Sequence, residues 1–307
     1  MSASVLFDAP GPRARRRYAL LGVAGGVIFA VIMALVIWKL ADKNQFASYK
    51  WKPFAEWSTW DNYILPGLWG TVKAAVLAIV ISLVFGAVLA MLRLIDVPKG
   101  NSPTAIALRA VTWITTAWVE VTRAIPVLLM MLFIFGWLTA HGQGSGSGPL
   151  IATVAGLVFY NSSVMCEVIR SGVDQLPKGQ SEAGRSIGLT EGQTVRLILL
   201  PQAVTAMLPS LISQVIVILK DTALGYNVLY GELLYRSKPA TSLNGNIFAM
   251  LIVIAAIYIL LNYAISRLAT WVEHRLQARG RTAGPAAPAG DPTGPTNAPG
   301  VATGEAA

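Results

Sequence analysis

The chain has 307 residues, of which 54% are hydrophobic and only 13% are charged, and its mean hydropathy is +0.58. Soluble domains carry about 25% charged residues, so this composition argues against a soluble enzyme and indicates a membrane protein. The net charge of +9 fits loops on the anionic cytoplasmic leaflet better than a nucleic-acid partner, because it accompanies such a high apolar content.

Six apolar segments are long enough to cross a bilayer as helices, which predicts an all-α membrane protein. The first follows a basic N-terminal segment, residues 1–18, and is interpreted as a permanent anchor, because no A-x-A cleavage site follows it. The third is interrupted by Glu120, Arg123 and Pro126, so we expect its first part to be partly buried or to follow the cytoplasmic boundary. The predicted spans are residues 19–39, 67–92, 111–138, 150–169, 204–226 and 246–268.

The distribution of basic residues predicts the orientation of these spans. With the N-terminus inside, sixteen of the 24 Lys and Arg residues lie on the inner face and six on the outer face. This asymmetry predicts a multi-pass plasma (inner) membrane protein with both termini in the cytoplasm. The outer loop GQGSGSG, residues 142–148, is interpreted as a flexible linker, and the Pro/Ala/Gly-rich tail, residues 280–307, is predicted to be disordered.

Catalytic and metal-binding patterns are missing from the sequence. It contains no Walker A, HExxH, GxSxG or dinucleotide motif, and its carboxylates are scattered. The single cysteine cannot form an internal disulfide, and with only two histidines a zinc site is not expected. We therefore predict no catalytic residue, no metal site and no bound cofactor, so uphill transport would need an ion gradient or a partner that supplies energy.

A polar segment between the fourth and fifth spans, SEAGRSIGLTEGQTVRLILLP, has the pattern of a short helical hairpin, residues 181–201. Ser181 or Gln180 is expected to cap a first helix that carries Glu182 in its first turn. Gly188 would permit a sharp turn that a Cβ would obstruct, and Thr190 would cap the second piece. The apolar side chains of that piece are expected to dock on the membrane domain, and Pro201 to help define the next span; the apolar residues are Val195, Leu197, Ile198 and Leu200.

This spacing resembles the EAA loop of binding-protein-dependent ABC importer permeases, EAA-xxx-G-x9-I-x-L-P. The matching positions begin at Glu182 and Ala183 and continue to Gly188 and Pro201. The one departure is Gly184, where alanine is usual, and it lowers helix propensity by up to about 1 kcal/mol. The resemblance implies that these five residues couple the chain to a partner ATPase.

Further blocks resemble the polar amino-acid subfamily of these permeases, the histidine/glutamine/glutamate type. They include WVEVTRAIPVLLMMLFIF (118–135), the stretch leading into the hairpin (160–189) and LPSLISQVIVILKDTAL (208–224). The resemblance covers residues 66–273 and implies a five-helix type I ABC importer permease domain preceded by an extra helix, residues 19–39. The extended N-terminus is most similar to glutamate permeases of the actinobacterial type.

The resemblance also implies the partners. Two ATPase subunits would bind ATP and Mg²⁺ and dock on the coupling loops, while this chain would bind no cofactor itself. A second permease subunit would complete a pair, often a heterodimer, and an extracellular solute-binding protein would deliver the amino acid. ATP-driven closure would move the hairpins and reverse the side to which the pathway opens. Membrane lipid would surround the chain, and no nucleic acid would be involved.

Polar residues inside the spans are candidates for the substrate pathway, because charges there are costly, at about 2.5–3.5 kcal/mol. Lys220 and Asp221 are adjacent and would point about 100° apart on a helix. Each would meet a partner in the bundle or line the pathway, and Asn161 and Gln214 are weaker candidates, as is Glu167. Glu120 and Arg123, three residues apart, are expected to form a structural pair.

Two other classes of protein remain open from the sequence. A gradient-driven secondary transporter would need internal repeats or midplane ion sites, and no clear repeat is visible. A non-transporting membrane scaffold would not require the spacing of the hairpin. Within the favoured class, the substrate could be glutamate, aspartate, glutamine or a basic amino acid.

Overall fold

The computed structural model describes residues 11–95, 97–98 and 100–280, and all regular structure within these ranges is helical. Short 3-10 or π-helical segments join several of the helices. The residues predicted to form the disordered tail lie outside the described part of the chain, except Gly280. The helices are α1 (Pro12–Asp42), α2 (Ser48–Trp51), α3 (Trp57–Thr59), α4 (Leu65–Arg93), α5 (Pro103–Ala124), α6 (Val127–Ala140), α7 (Gly148–Asp174), α8 (Lys178–Ser186), α9 (Glu191–Thr194), α10 (Leu200–Asp221), α11 (Leu233–Asn244) and α12 (Ile247–Gly280).

The number of membrane-spanning helices agrees with the prediction. Among the residues that the structure describes, five continuous helical segments are long and apolar enough to cross a bilayer, and a sixth span is formed if α5 and α6 are counted together. These two helices meet at an angle of 101°. Ile125 is extended at the junction because it precedes Pro126, and a residue before proline disfavours the α conformation. The irregular third span is thus a sharply bent helix pair.

The centre of the main core is α7, which packs against α4, α6 and α10. Small residues let the backbones approach closely, as they do in other membrane bundles. A Cβ at Gly86 of α4 would lie only 2.8 Å from the carbonyl oxygen of Ser162 on α7. The apolar side chains around this contact are buried, including Met131, Leu157 and Met165. The α4–α7 pair is therefore the tightly packed centre to which the site residues are attached.

The first helix, α1, is longer than predicted and lies apart from this core. It extends from Pro12 to Asp42, and none of its residues is buried. After the arginines of its first turns its side chains are apolar all round as far as Trp38, with Leu21, Ile28 and Trp38 all more than half exposed. A helix with this surface is suited to contact with lipid on every face.

Candidate coupling hairpin and translocation site

The hairpin between the fourth and fifth spans consists of α8, a tight turn and α9. Gly188 lies in the turn with a φ of +84°, in the left-handed region that favours glycine. The Leu189 amide donates to the Gly184 carbonyl at 3.1 Å and the Gly188 amide to the Arg185 carbonyl at 2.9 Å. These bonds satisfy carbonyl groups at the end of α8 and fix the direction of the turn.

The start of α8 differs from the prediction. The helix begins at Lys178 directly after Pro177, and no side chain caps it. The expected cap at Ser181 or Gln180 is wrong because both residues are already inside the helix. Proline at the N-cap is compatible with a helix that starts next to it, so the helix reaches one turn further toward α7 than capping rules indicated.

The predicted cap at Thr190 is confirmed. The Gln193 amide donates to Thr190 Oγ1 at 3.3 Å, and the Thr190 amide donates to Gln193 Oε1 at 2.9 Å, which completes a capping box. Arg185 on α8 pairs with Glu191 on α9 at 3.0 Å. The two short helices are therefore held together by both backbone and side-chain contacts.

The structure accounts for the glycine at position 184. Gly184 is buried where α8 meets α9, and a Cβ there would lie 2.8 Å from Thr194 Cγ2 and 3.1 Å from Ile198 Cδ1. Thr194 is fully buried, and its hydroxyl has no hydrogen-bond partner among the described residues. Glycine at 184 thus makes room for the β-branched side chain at 194.

We expect Gly184→Ala alone to destabilise the hairpin. Overpacking costs about 1–3 kcal/mol, which exceeds the gain of about 1 kcal/mol in helix propensity. The double variant Gly184→Ala/Thr194→Ala should be more stable than Gly184→Ala, because it removes both the contact and the unpaired hydroxyl. Hydrogen exchange of the amides in residues 178–200 measures the effect, and slower exchange in Gly184→Ala alone would contradict it.

The second half of the hairpin docks on the membrane domain through some of the predicted side chains. Val195 and Ile198 pack against a small cluster formed by Val173, Leu199 and Ala203, and Leu200 packs against the main core. Leu197 does not dock, because 62% of it is exposed. A π-helical segment, Val195–Leu199, turns Leu197 outward.

Pro201 lies near the start of α10, but the span does not begin there. The helical path is continuous from Glu191 to Val228, through α9, the π-helical segment and α10. Proline is tolerated at this point because it lies in the first turn of α10, immediately after the π-helical segment. The hairpin is consequently joined to the fifth span without a break in the helix.

The structure brings two of the four predicted pathway residues together. Asn161 on α7 is fully buried, and its side-chain oxygen accepts a hydrogen bond from Gln214 on α10 at 2.5 Å. Lys220 and Asp221 lie further along α10, where Lys220 is exposed and Asp221 is partly buried. Neither forms an ion pair within the described ranges, so these four residues do not form one constellation.

Ion pairs at the ends of α4, α5 and α7 form a network that was not predicted from the sequence. Arg93 forms an ion pair with Glu167, and two further guanidinium groups approach the same carboxylate, Arg170 at 3.2 Å and Arg123 at 3.8 Å. Arg170 also pairs with Asp174 at 2.7 Å. The predicted Glu120–Arg123 pair is present at 3.9 Å, with the Glu120 side chain 60% and the Arg123 side chain 41% exposed. Glu167 is therefore the residue that joins the three helices.

A second buried carboxylate, Glu232, was also missed. It accepts hydrogen bonds from the Leu234 and Tyr235 amides, which caps α11, and from the Tyr258 hydroxyl on α12 at 3.1 Å. It has no exposed surface, and this burial raises its pKa to about 7. Nothing in the local sequence GELLY distinguishes it from a surface residue.

The raised pKa of Glu232 predicts that stability depends on pH. The carboxyl group titrates near 4.5 when unfolded, so between pH 4.5 and 7 the folded chain binds the proton more tightly. Raising the pH through this window should lower the free energy of unfolding by up to about 3 kcal/mol. Glu232→Gln should remove this slope, whereas the exposed Glu56→Gln should keep it. Thermal unfolding at pH 5 and pH 8 measures it, and equal slopes in all three proteins would contradict the assignment.

These helices and the hairpin between two of them have the architecture of a multi-pass membrane protein. The model of the family described as binding-protein-dependent transport system inner membrane component matches residues 104–278. The chain belongs to this family, the membrane subunits of ABC importers. This match confirms the predicted membership of the binding-protein-dependent ABC importer permeases and the type I fold that the resemblance implied.

Relatives of the chain are amino-acid permeases. It is 41% identical to the glutamate transport system permease protein GluD of Corynebacterium glutamicum, over 78% of this chain and 84% of that protein. It is 29% identical to the glutamate/aspartate import permease protein GltK of Escherichia coli, over 69% of this chain and 93% of that protein. It is 32% identical to the probable glutamine ABC transporter permease protein GlnP of Bacillus subtilis, over 70% and 92%.

Solved structures agree with this assignment. A chain of a crystal structure of an amino acid ABC transporter with histidines superposes with a TM-score of 0.60 at 28% identity, covering 69% of this chain and 93% of that one. The MetNI methionine ABC transporter in an inward-facing conformation superposes with a TM-score of 0.57 at 20% identity, covering 70% and 96%, which shows the same fold. The chain is thus an amino-acid ABC permease subunit. No three His, Cys, Asp or Glu side chains in the described ranges are grouped as metal ligands would be.

Proposed function

We propose that this chain is one of two membrane subunits of an ATP-driven importer of glutamate. The relative at 41% identity is a glutamate permease, and one at 29% is named for glutamate and aspartate. Glutamine and arginine permeases are also related, at 32% and 26% identity, so those amino acids are the alternative substrates. Of these four identities the highest, 41%, is to a glutamate permease, which favours an acidic amino acid.

The hairpin supports the proposal that a partner ATPase supplies the energy for transport. Its tip presents Ile187 with 73% of the residue exposed, next to the turn at Gly188, on a frame fixed by the capping box and the Arg185–Glu191 pair. Glu182 and Ala183 are exposed on α8. A rigid projection with an exposed apolar tip is suited to a groove on a partner ATPase, which would bind ATP and Mg²⁺ and hydrolyse the nucleotide. This projection is the single observation on which ATP-driven coupling rests.

The proposed assembly contains two different permease subunits. The two glutamate permease proteins of Corynebacterium glutamicum, GluD and GluC, are both related to this chain, at 41% and 31% identity. Such pairs within one organism favour a heterodimer. A dimer of ATPase subunits would dock on the cytoplasmic side, and a solute-binding protein would deliver the substrate outside.

The distribution of Lys and Arg supports a plasma-membrane orientation with both termini in the cytoplasm. The hairpin would then face the ATPase subunits. Substrate would cross beside the α7–α10 contact, with Asn161 and Gln214 in its wall and Lys220 and Asp221 further along α10. Closure of the ATPase dimer would move the hairpin and the continuous helix that follows it, and so reverse the access of the pathway.

Uptake of labelled glutamate in a strain that lacks the chain tests the proposal. Complementation should restore uptake only when the ATPase partner is expressed with it, which separates an ABC permease from a secondary transporter or a scaffold. Unlabelled aspartate should compete more strongly than glutamine or arginine. Restored uptake of arginine or glutamine in place of glutamate would reject the substrate, and restored uptake without the ATPase would reject the mechanism.

A further inference from the structure

A cavity of about 700 Å³ lies between the start of α4, the loop that follows α6 and the segment that leads into α11. In the proposed orientation it opens toward the outside of the cell. Its lining includes Lys73 and Arg236 together with the rings of Trp69, Tyr230 and Tyr235. Its volume lies in the range of small-molecule sites.

The two cations in this cavity have no acidic partner. The residues that line it include no Asp or Glu, and neither Lys73 nor Arg236 forms an ion pair with any residue of the described ranges. Glu232 is close in sequence, but its oxygens accept from the Leu234 and Tyr235 amides and from Tyr258. The lining therefore carries net positive charge.

The position of Lys73 adds to this argument. Lys73 follows Leu65, the first residue of α4, by eight positions, which is about 12 Å along the axis. A cation within an apolar span is costly and marks a functional position when no partner compensates for it. Lys73 is exposed at this position, so a small solute that enters the cavity can reach its ammonium group.

The wall of the cavity is built rigidly. The Gly70 backbone packs directly on Gly231, where a Cβ would meet the Gly231 carbonyl. The Tyr230 hydroxyl donates to the Gly70 carbonyl at 2.7 Å, and the Leu233 amide donates to Thr71 Oγ1 at 3.1 Å. The backbones of α4 and of the segment that leads into α11 are thus held together before any ligand binds, which reduces the cost of binding.

We propose that this cavity is an entry site for an amino acid with an acidic side chain. Arg236 would bind one carboxylate through its guanidinium group and Lys73 the other, while the α-ammonium group would contact the aromatic rings. Glutamine offers only one carboxylate, so the site would discriminate between the two amino acids. The proposal rests on the proposed function for the direction in which the cavity opens.

Thiol labelling tests this site directly. The only cysteine of the chain, Cys166, is fully buried, so a Ser145→Cys variant places one accessible thiol in the cavity lining. The complete transporter is reconstituted in vesicles without its binding protein and treated from the outer side with a membrane-impermeant thiol reagent. Millimolar L-glutamate or L-aspartate should slow labelling of this chain, and L-glutamine should not.

Charge removal in the Ser145→Cys background completes the test. Lys73→Met and Arg236→Gln should each raise the half-protecting concentration of glutamate about tenfold or more. Lys52→Met and Lys238→Gln, which remove exposed cations that do not line the cavity, should leave it unchanged. An unchanged labelling rate without ligand shows that a variant has kept its fold.

The outcomes separate this proposal from the proposed function. Glutamate uptake by the wild-type system with no protection of the thiol would overturn the entry site and leave the importer assignment intact. Equal protection by glutamine, or protection unaffected by either cavity variant, would also overturn it. Protection by the binding protein alone, without amino acid, would assign the cavity to protein docking instead.

Discussion

Replacing Gly188 with valine should reduce uptake to less than about a tenth of the wild-type rate while leaving membrane insertion unchanged. The reason is the backbone and not crowding, because no atom lies within 4 Å of a Cβ built at this position. The expectation that a Cβ would obstruct this turn agrees with the φ of +84° at Gly188. Placing a residue with a Cβ in the left-handed backbone conformation costs roughly 1–2 kcal/mol, and β-branched side chains are the least compatible with this conformation. The turn would change its path and misplace the Ile187 tip.

Two matched variants separate this explanation from a general effect of mutation in the hairpin. Asparagine adopts the left-handed conformation more readily than other residues, so Gly188→Asn should retain most of the activity. Gly192 lies in α9, has open space around it and does not have a positive φ, so Gly192→Ala should be neutral. Initial rates of glutamate uptake at equal membrane abundance measure all three. Wild-type uptake by Gly188→Val would refute the role given to the turn.

Replacing Glu167 with glutamine should destabilise the protein by about 3–5 kcal/mol, because it leaves the Arg93 guanidinium with no anionic partner at the junction of three helices. The side chains of Arg93 and Glu167 are only 10% and 18% exposed, so water compensates little for the lost charge. Arg123 and Arg170 would then repel Arg93 without the carboxylate between them. Thermal unfolding of the purified chain measures the loss.

The surrounding charges supply the controls for this second prediction. Glu120→Gln removes an acidic side chain that is 60% exposed and 3.9 Å from Arg123, so it should cost less than about 1 kcal/mol. The double variant Arg93→Met/Glu167→Gln should recover part of the loss, because no buried charge then lacks a partner. Equal effects of Glu120→Gln and Glu167→Gln would show that burial does not set the strength of the network.

The sequence predicted those features that depend on neighbouring residues. The apolar segments identified the spans, and the cap at Thr190 needed only the residues that follow it directly. The bend at Pro126 follows from local proline stereochemistry. By contrast, Arg93 and Glu167 are 74 positions apart in the chain, and only the α4–α7 packing brings them together.

Gly184 in the hairpin also shows the difference between what neighbouring residues determine and what tertiary contacts determine. The departure from alanine at position 184 was visible in the sequence, but its cause is a contact with Thr194 across the hairpin. The outer cavity was equally hidden, because Lys73 and Arg236 lie on different helices and only the packing of α11 on α4 brings them to one cavity. Spacing locates such residues along the chain, and tertiary packing decides which of them meet.

Transport by reconstituted vesicles tests the central claim most directly. Vesicles that contain both permease subunits and the ATPase, with binding protein and labelled glutamate on the outer side, are compared with and without ATP on the side of the hairpin. We predict uptake that requires ATP and persists when a protonophore removes the proton gradient. Uptake driven by an ion gradient in the absence of ATP and of the ATPase would contradict the account.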